Sequence, residues 1–212
     1  VLLKAIIDAK THKQIQAQHT SGTTRSANKK DDKSLIKVAH RPVSKDLINE
    51  LYKVNSQKLS VLKDNDSRHG EGFCTDFKLF TCTSPQIQQL EADLKDIAKE
   101  ALCKEIYSFK NDSFLNIFEA GAGSVPHNHI RPTHKKFDLW KHQFSLVYYV
   151  DPGDQNCKHP GILQMLDPDI QILPRRGMIL IFPSTRMHSS YYGGSKKRLM
   201  VGVNFFAFEA ST

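Results

Sequence analysis

The sequence predicts an α+β fold in which helices from the first half of the chain support a β-sandwich or barrel built from the second half. Apolar residues recur with helical spacing before residue 112, whereas after it they form short alternating segments. Turns rich in glycine, proline and aspartate separate those segments. This spacing is typical of all-β architectures rather than of alternating strands and helices. At 212 residues, 39% of them hydrophobic, the chain is long enough for one domain with one core.

The domain is predicted to occupy residues 34–212, after an N-terminal appendage or linker at residues 1–33. Residues 19–33 are small, polar or charged and offer little to bury. The chain does not begin with methionine, as expected of a fragment or a trimmed chain.

The first elements of the domain are predicted to be a short strand at residues 35–38 and a helix capped by Ser44. Residues 73–81 are predicted to form a further strand. A second helix begins after Ser84, with Pro85 at its first position. Its apolar face, which we expect to pack against the back of a sheet, consists of Ile87, Leu90, Leu94, Ile97 and Ala101.

The later strands are predicted from apolar alternating segments at residues 114–118, 144–150, 178–182 and 199–208. Histidines lie beside these segments, at His127, His129 and His188, and Arg198 follows ten residues after the last of them. Two imidazoles near one strand end and a third on a distant strand suit a mononuclear metal site. Imidazole binds iron, zinc, copper or nickel, so these residue types alone do not select the ion.

The composition indicates a soluble, cytoplasmic protein. No apolar segment approaches the roughly 20 residues that cross a bilayer, and no signal peptide is evident. The four cysteines lack paired spacing and are expected to be reduced thiols. The net charge of +8 is dispersed in short clusters without a nucleic-acid-binding motif. It therefore indicates a basic surface, or attraction of an acidic substrate, rather than nucleic-acid binding.

The second half of the chain resembles the iron(II)- and 2-oxoglutarate-dependent oxygenases, especially the prolyl-4-hydroxylase-like branch with its bacterial and phage members. The matching segments are FLNIFEAGAGSVPHNH (114–129), HQFSLVYYVDPG (142–153), GILQMLDP (161–168) and ILPRRGMILIFPSTRMHSSYYGGSKKRLMVGVNFF (172–206). The resemblance implies a double-stranded β-helix, the jelly-roll or cupin-like barrel, with its core at about residues 112–208. In that family a His-x-Asp/Glu pair and a distal histidine hold iron(II).

The resemblance also implies roles for individual residues. His127 matches the first ligand, His188 the distal ligand, and Arg198 the cation that anchors the far carboxylate of 2-oxoglutarate. Arginine suits that role because its planar guanidinium pairs with a carboxylate through two hydrogen bonds. Tyr149 and Asn116 are expected to help hold the cosubstrate carboxylate. Tyr191 and Tyr192 are expected to line the substrate entrance or to form a surface strand end.

The sequence departs from the family pattern at His129, where an aspartate or glutamate is usual. His129 could itself be the third ligand, which would give a site of three histidines. A carboxylate from the segment 131–141, such as Asp138, could take that place, or the site could be weak or inactive. A neutral ligand in place of a carboxylate leaves the metal centre one charge unit more positive.

The implied activity is a dioxygenase that uses iron(II), 2-oxoglutarate and O2 to hydroxylate a C–H bond of a protein residue or a small molecule. 2-Oxoglutarate would be decarboxylated to succinate. Two alternatives remain open at this stage: a cupin-type dioxygenase with three histidines that uses no 2-oxoglutarate, and a non-catalytic barrel that binds a partner. The fold does not select the substrate.

Overall fold

A computed structural model describes residues 35–58, 73–74, 78–131 and 139–210. The predicted appendage at residues 1–33 and the alternative ligand Asp138 lie outside these described residues. In chain order the elements are β1 (Lys37–His40), α1 (Lys45–Lys58), β2 (Phe73–Cys74), α2 (Pro85–Leu102), β3 (Glu105–Tyr107), β4 (Ser113–Phe118), β5 (Gly123–His127), β6 (Gln143–Asp151), β7 (Pro160–Leu166), β8 (Asp169–Ile172), β9 (Met178–Pro183), β10 (His188–Tyr192) and β11 (Arg198–Phe208).

The strands form two antiparallel sheets. The larger sheet has the order β1-β9-β6-β11-β4-β2, and β3 extends it by pairing with β11. The smaller sheet has the order β5-β10-β7-β8. An apolar cluster between them draws Leu163 and Met165 from the smaller sheet and Leu180, Phe182 and Met200 from the larger one. This is the predicted jelly-roll arrangement.

The helices cover the outer face of the larger sheet. Residues Ile87, Leu90 and Leu94 of α2 are fully buried. They share one cluster with residues from α1 and from the strands β6, β9 and β11. Helix α1 begins as predicted, because the Ser44 hydroxyl accepts a hydrogen bond from the backbone N–H of Leu47 at 3.1 Å. The prediction of helices that support a β-barrel is thus confirmed.

The predicted strand at residues 73–81 is wrong over its second half. Phe73–Cys74 pairs with β4, whereas Leu79–Thr81 form a 3₁₀ helix with Leu79 and Phe80 fully buried. The backbone N–H of Phe80 donates to the Ser113 hydroxyl at 2.9 Å. The Ser113 side chain, from β4, therefore accepts the hydrogen bond that this N–H would otherwise have donated to a neighbouring strand.

Neither described helix combines the length and the apolar character that a membrane span requires. The four cysteines, Cys74, Cys82, Cys103 and Cys157, are all free thiols, as predicted.

Candidate metal centre

The three histidines that the sequence singled out come together between the two sheets. His127 ends β5 and His188 begins β10, and the two are direct partners in the ladder that joins these strands. His129 lies two residues beyond the end of β5. One ring nitrogen from each histidine falls within a group of atoms no more than 4.8 Å apart. The three imidazoles could therefore contact a single ion.

Hydrogen bonds to backbone carbonyls orient two of the rings. Nδ1 of His127 lies 2.7 Å from the Val125 carbonyl oxygen, and Nδ1 of His188 lies 3.0 Å from that of Arg186. A carbonyl oxygen can only accept, so each Nδ1 carries the proton and each Nε2 of a neutral ring has a lone pair. Metal-binding histidines show this arrangement because the second nitrogen fixes the tautomer and the ring orientation.

The spacing of the ring nitrogens fits a metal ion. Nε2 of His129 and Nε2 of His188 are 3.2 Å apart. Two nitrogens that each lie about 2.1 Å from one ion, at about 100° to each other, are separated by that distance. The same distance allows an N–H···N hydrogen bond when no ion is bound, with His129 as the donor.

Burial keeps His188 uncharged. Together with the smaller effect of the neighbouring His127, it lowers the pKa of His188 from 6.5 to about 4. Because a protonated imidazole has no lone pair to offer, a neutral ring at physiological pH is the form that a metal ligand needs.

Arg198 is buried at the start of β11, with 1% of its surface exposed. Its guanidinium carbon lies 5.0 Å from the centre of the Tyr149 ring and 6.0 Å from that of Tyr192. Nη1 donates to the Gly161 carbonyl oxygen at 2.5 Å. Gly161 has a φ of +76°, and a Cβ there would overlap the guanidinium, so this close approach requires glycine. Burial lowers the pKa of Arg198, but a guanidinium remains charged in proteins.

The histidines and Arg198 line one cavity, which is partly open to solvent. Asn116, Ser124, Tyr149 and Ser190 contribute further polar groups, and none of the lining residues is acidic. Within the described part of the chain, three buried cavity atoms have no hydrogen-bond partner: Asn116 Oδ1, Ser190 Oγ and Arg198 Nε. Buried polar atoms are costly when unpaired, so the cavity is suited to a polar, anionic ligand.

The predicted cosubstrate contacts Tyr149 and Asn116 both line this cavity. Burial raises the pKa of the Tyr149 hydroxyl, and the charge of Arg198 opposes that effect. Tyr148, the preceding residue, points to the opposite face and lies beside Arg41. Ser190 was not predicted, although it lies two residues after His188 in the same strand and alternation would have placed it on the same face.

The two tyrosines expected at the substrate entrance have different surroundings. Tyr191 is 53% exposed and packs edge-on against His159. Tyr192 is fully buried, and its hydroxyl accepts from the backbone N–H of Asp154 at 2.7 Å and donates to the Lys196 carbonyl. The expectation that Tyr192 lines the entrance is therefore corrected. Its ring packs beside Arg198 instead.

No protein-family model matches the sequence, and no curated protein matches it. Solved structures do match the fold. A Pseudomonas putida prolyl-4-hydroxylase aligns with a TM-score of 0.57 at 16% identity, over 82% of this chain and 93% of its own. A Trichoplax adhaerens prolyl hydroxylase, in complex with a peptide fragment of the hypoxia inducible factor oxygen degradation domain, aligns with a TM-score of 0.59 at 14% identity, over 81% and 83%.

A viral collagen prolyl hydroxylase from Paramecium Bursaria Chlorella virus-1, in a complex with 2OG, aligns with a TM-score of 0.57 at 12% identity, over 84% of this chain and 99% of its own. At these identities the likeness concerns the fold. The similarity to prolyl hydroxylases and related 2-oxoglutarate oxygenases, which the sequence motifs predicted, is confirmed at that level.

Proposed function

We propose that this protein is an iron(II)- and 2-oxoglutarate-dependent dioxygenase that hydroxylates a C–H bond. One observation carries the proposal: three imidazoles converge in a cavity whose lining also contains a buried arginine. Either feature alone would be compatible with several functions. Together they would provide a metal site and a carboxylate anchor in the lining of one cavity.

His127, His129 and His188 would hold the metal. The proton on Nδ1 of His127 and of His188 leaves each Nε2 with the lone pair that a metal ion would bind, and His129 Nε2 lies within ligand spacing of His188 Nε2. Iron(II) would supply activation of O2, coupled to the decarboxylation of 2-oxoglutarate to succinate. A site of three neutral donors keeps the full charge of the ion, so anionic ligands are attracted to it more strongly than to a site with a carboxylate.

Arg198 would bind the far carboxylate of 2-oxoglutarate. Its burial without an acidic residue in the cavity lining supports this assignment, because a buried charge without a counterion is unfavourable. The Tyr149 and Tyr192 rings lie beside the guanidinium and restrict its position. Asn116 and Ser190 also line the cavity and would offer hydrogen-bonding groups to the bound ligand. Phe118, Leu163 and Met200 form an apolar part of the cavity wall.

The alternative of a three-histidine dioxygenase without 2-oxoglutarate leaves Arg198 without a ligand. A non-catalytic barrel leaves the converging histidines without a function as well. We favour a protein or peptide residue as the substrate class, since the fold is similar to that of prolyl hydroxylases, one of them in complex with a peptide fragment. A small molecule remains the second candidate.

The test combines metal content with turnover. Purified protein reconstituted anaerobically with iron(II) should contain one metal ion per chain and should form succinate from 2-oxoglutarate once O2 is admitted. His127→Ala and His188→Ala should each abolish stoichiometric metal binding. Metal without any 2-oxoglutarate turnover or binding would favour the cupin-type alternative, and the absence of metal would favour the non-catalytic barrel.

His129→Ala distinguishes the candidates for the third ligand. If His129 is a ligand, the variant should bind metal at least about tenfold more weakly, because it loses one of three bonds to the ion. His129→Asp should bind metal again, since it restores the usual ligand type of the family. Unchanged affinity in His129→Ala would instead assign the third position to a carboxylate such as Asp138.

A further inference from the structure

A cluster of buried polar side chains lies next to His129, on the larger sheet. Gln143, Ser145, Ser184 and Asn204 are each at most 5% exposed. Buried polar groups destabilise a fold unless all their hydrogen bonds are made, and apolar residues of similar shape would pack there at no such cost. Their concentration at one place therefore requires an explanation.

Side-chain hydrogen bonds link Ser184, Ser145 and Asn204 to one another and to Asp112. The Ser145 hydroxyl donates to Asn204 Oδ1 at 2.8 Å. It also lies 2.8 Å from the Ser184 hydroxyl, which must be the donor because the Ser145 proton is already used. Asn204 Nδ2 donates to Asp112 Oδ1 at 3.1 Å. Through Asp112 the network reaches Arg131, whose Nη2 lies 3.0 Å from Asp112 Oδ2.

The network ends on the backbone of His129. The N–H of His129 donates to the Ser184 carbonyl oxygen at 3.0 Å, and the His129 carbonyl accepts from Gln143 Nε2 at 3.2 Å. Gln143 and Ser184 are themselves joined, since the Ser184 N–H donates to the Gln143 carbonyl at 2.9 Å. The backbone N–H and C=O of His129 are thus bound by Ser184, which directly follows β9, and by Gln143 of β6.

His129 differs in this respect from the other two histidines. His127 and His188 are members of β5 and β10, and pairing between these strands fixes their positions. His129 lies beyond β5 and is held through the residues of the network. A residue outside a strand can shift by an ångström at little cost, whereas a metal ligand cannot.

We propose that the network formed by Gln143, Ser145, Ser184, Asn204 and Asp112 is a positioning device that holds His129 at ligand distance from the metal. This inference rests on the proposed function only in taking His129 as a ligand. It assigns to the larger sheet a part in the metal site, which otherwise belongs to the smaller sheet.

Ser145→Ala and Ser113→Ala form a matched pair of variants for the test. Both serines are buried and each hydroxyl makes two hydrogen bonds: Ser113 accepts from the Phe80 N–H at 2.9 Å and donates to the Lys110 carbonyl at 3.1 Å. Both variants should lose comparable stability. Only Ser145→Ala should weaken metal binding, by about tenfold or more, as found when residues that orient metal ligands are removed. Titration with Co²⁺, followed by its visible absorption, measures the affinity and reports the ligand geometry.

Two further measurements separate positioning from general destabilisation. In a His129→Ala background, Ser145→Ala should produce no additional loss of Co²⁺ affinity, because the residue on which it acts is gone. In the metal-free protein, hydrogen exchange of the His129 amide should be faster in Ser145→Ala than in Ser113→Ala. If Ser145→Ala does not fold, Gln143→Met removes only the bond to the His129 carbonyl and is measured in its place.

The outcomes are distinguishable. If the parent binds no Co²⁺ but amide exchange of His129 responds to Ser145→Ala, the proposed function fails while the network's hold on His129 stands. If the parent binds Co²⁺ and Ser145→Ala matches Ser113→Ala in affinity, spectrum and exchange, the positioning role is wrong. The positioning role would also be wrong if Ser145→Ala lowered the Co²⁺ affinity as much in the His129→Ala background as it does in the parent.

Discussion

His188 illustrates how one residue couples burial to chemistry. The position that gives it access to the cavity also removes it from water, so its pKa falls to about 4. A histidine that stays neutral at physiological pH can bind a metal ion without first losing a proton. The same lowered pKa makes the stability of the metal-free protein sensitive to acid.

The pH dependence of stability follows from this shift. In the unfolded chain His188 takes up a proton as the pH falls below its ordinary value of 6.5, whereas in the folded protein it does so only near pH 4. The unfolded state therefore binds more protons in this interval, and the stability falls as the pH drops from about 6.5 to about 4. From 1.36 kcal/mol per pKa unit, the loss is about 3 kcal/mol.

Urea unfolding of the metal-free protein at pH 7 and at pH 4.5 measures this effect. The parent should lose more stability between the two values than His188→Gln, in which the group is absent. Equal losses would show that His188 does not titrate as its burial indicates.

At the scale of elements, α2 is the main support of the larger sheet. Its face at Ile87, Leu90 and Leu94 is fully buried, and Ala98 and Leu102 continue it. The predicted apolar face ended with Ile97 and Ala101, but these two residues are only partly buried. The sequence could identify the helix and its apolar face, but the last turn depends on how the helix crosses the sheet.

Leu94→Ala should therefore reduce the free energy of unfolding by about 2 to 5 kcal/mol, because it opens a cavity in a packed interior. Metal affinity of the folded protein should not change, since α2 is separated from the metal centre by the larger sheet. Lys95→Ala, at the neighbouring exposed position, serves as the control and should leave stability within about 0.5 kcal/mol. A loss of metal affinity in Leu94→Ala would contradict the claim that α2 stabilises the fold without affecting the metal centre.

The strands show a second limit of sequence-based prediction. The apolar segments that became β4, β6, β9 and β11 could be predicted because alternation is a local signal. The 3₁₀ helix at Leu79–Thr81 could not, since it depends on a hydrogen bond to Ser113, far away in the sequence.

For the whole molecule, the two sheets meet at the candidate site. The smaller sheet provides His127 and His188, and the larger one provides Arg198 and the bonds that hold His129. The histidines and the arginine could be predicted from the spacing and from the resemblance to a family. The residues around them could not, because Gln143, Ser145 and Asn204 become neighbours only through the register of β6 and β11.

Binding of 2-oxoglutarate to the metal-loaded protein, measured by anaerobic calorimetry in the parent and in Arg198→Ala, tests the central claim most directly. Loss of a buried, charge-assisted contact should cost at least about 2 kcal/mol, so the dissociation constant should rise about 30-fold or more. Metal content should stay the same, and Arg198→Lys should recover affinity only in part, since lysine lacks the planar fork. Lys197→Ala, which removes a charge from the adjacent surface position, should bind as the parent does. Unchanged affinity in Arg198→Ala, or a parent that binds no 2-oxoglutarate with iron(II) present, would contradict the account.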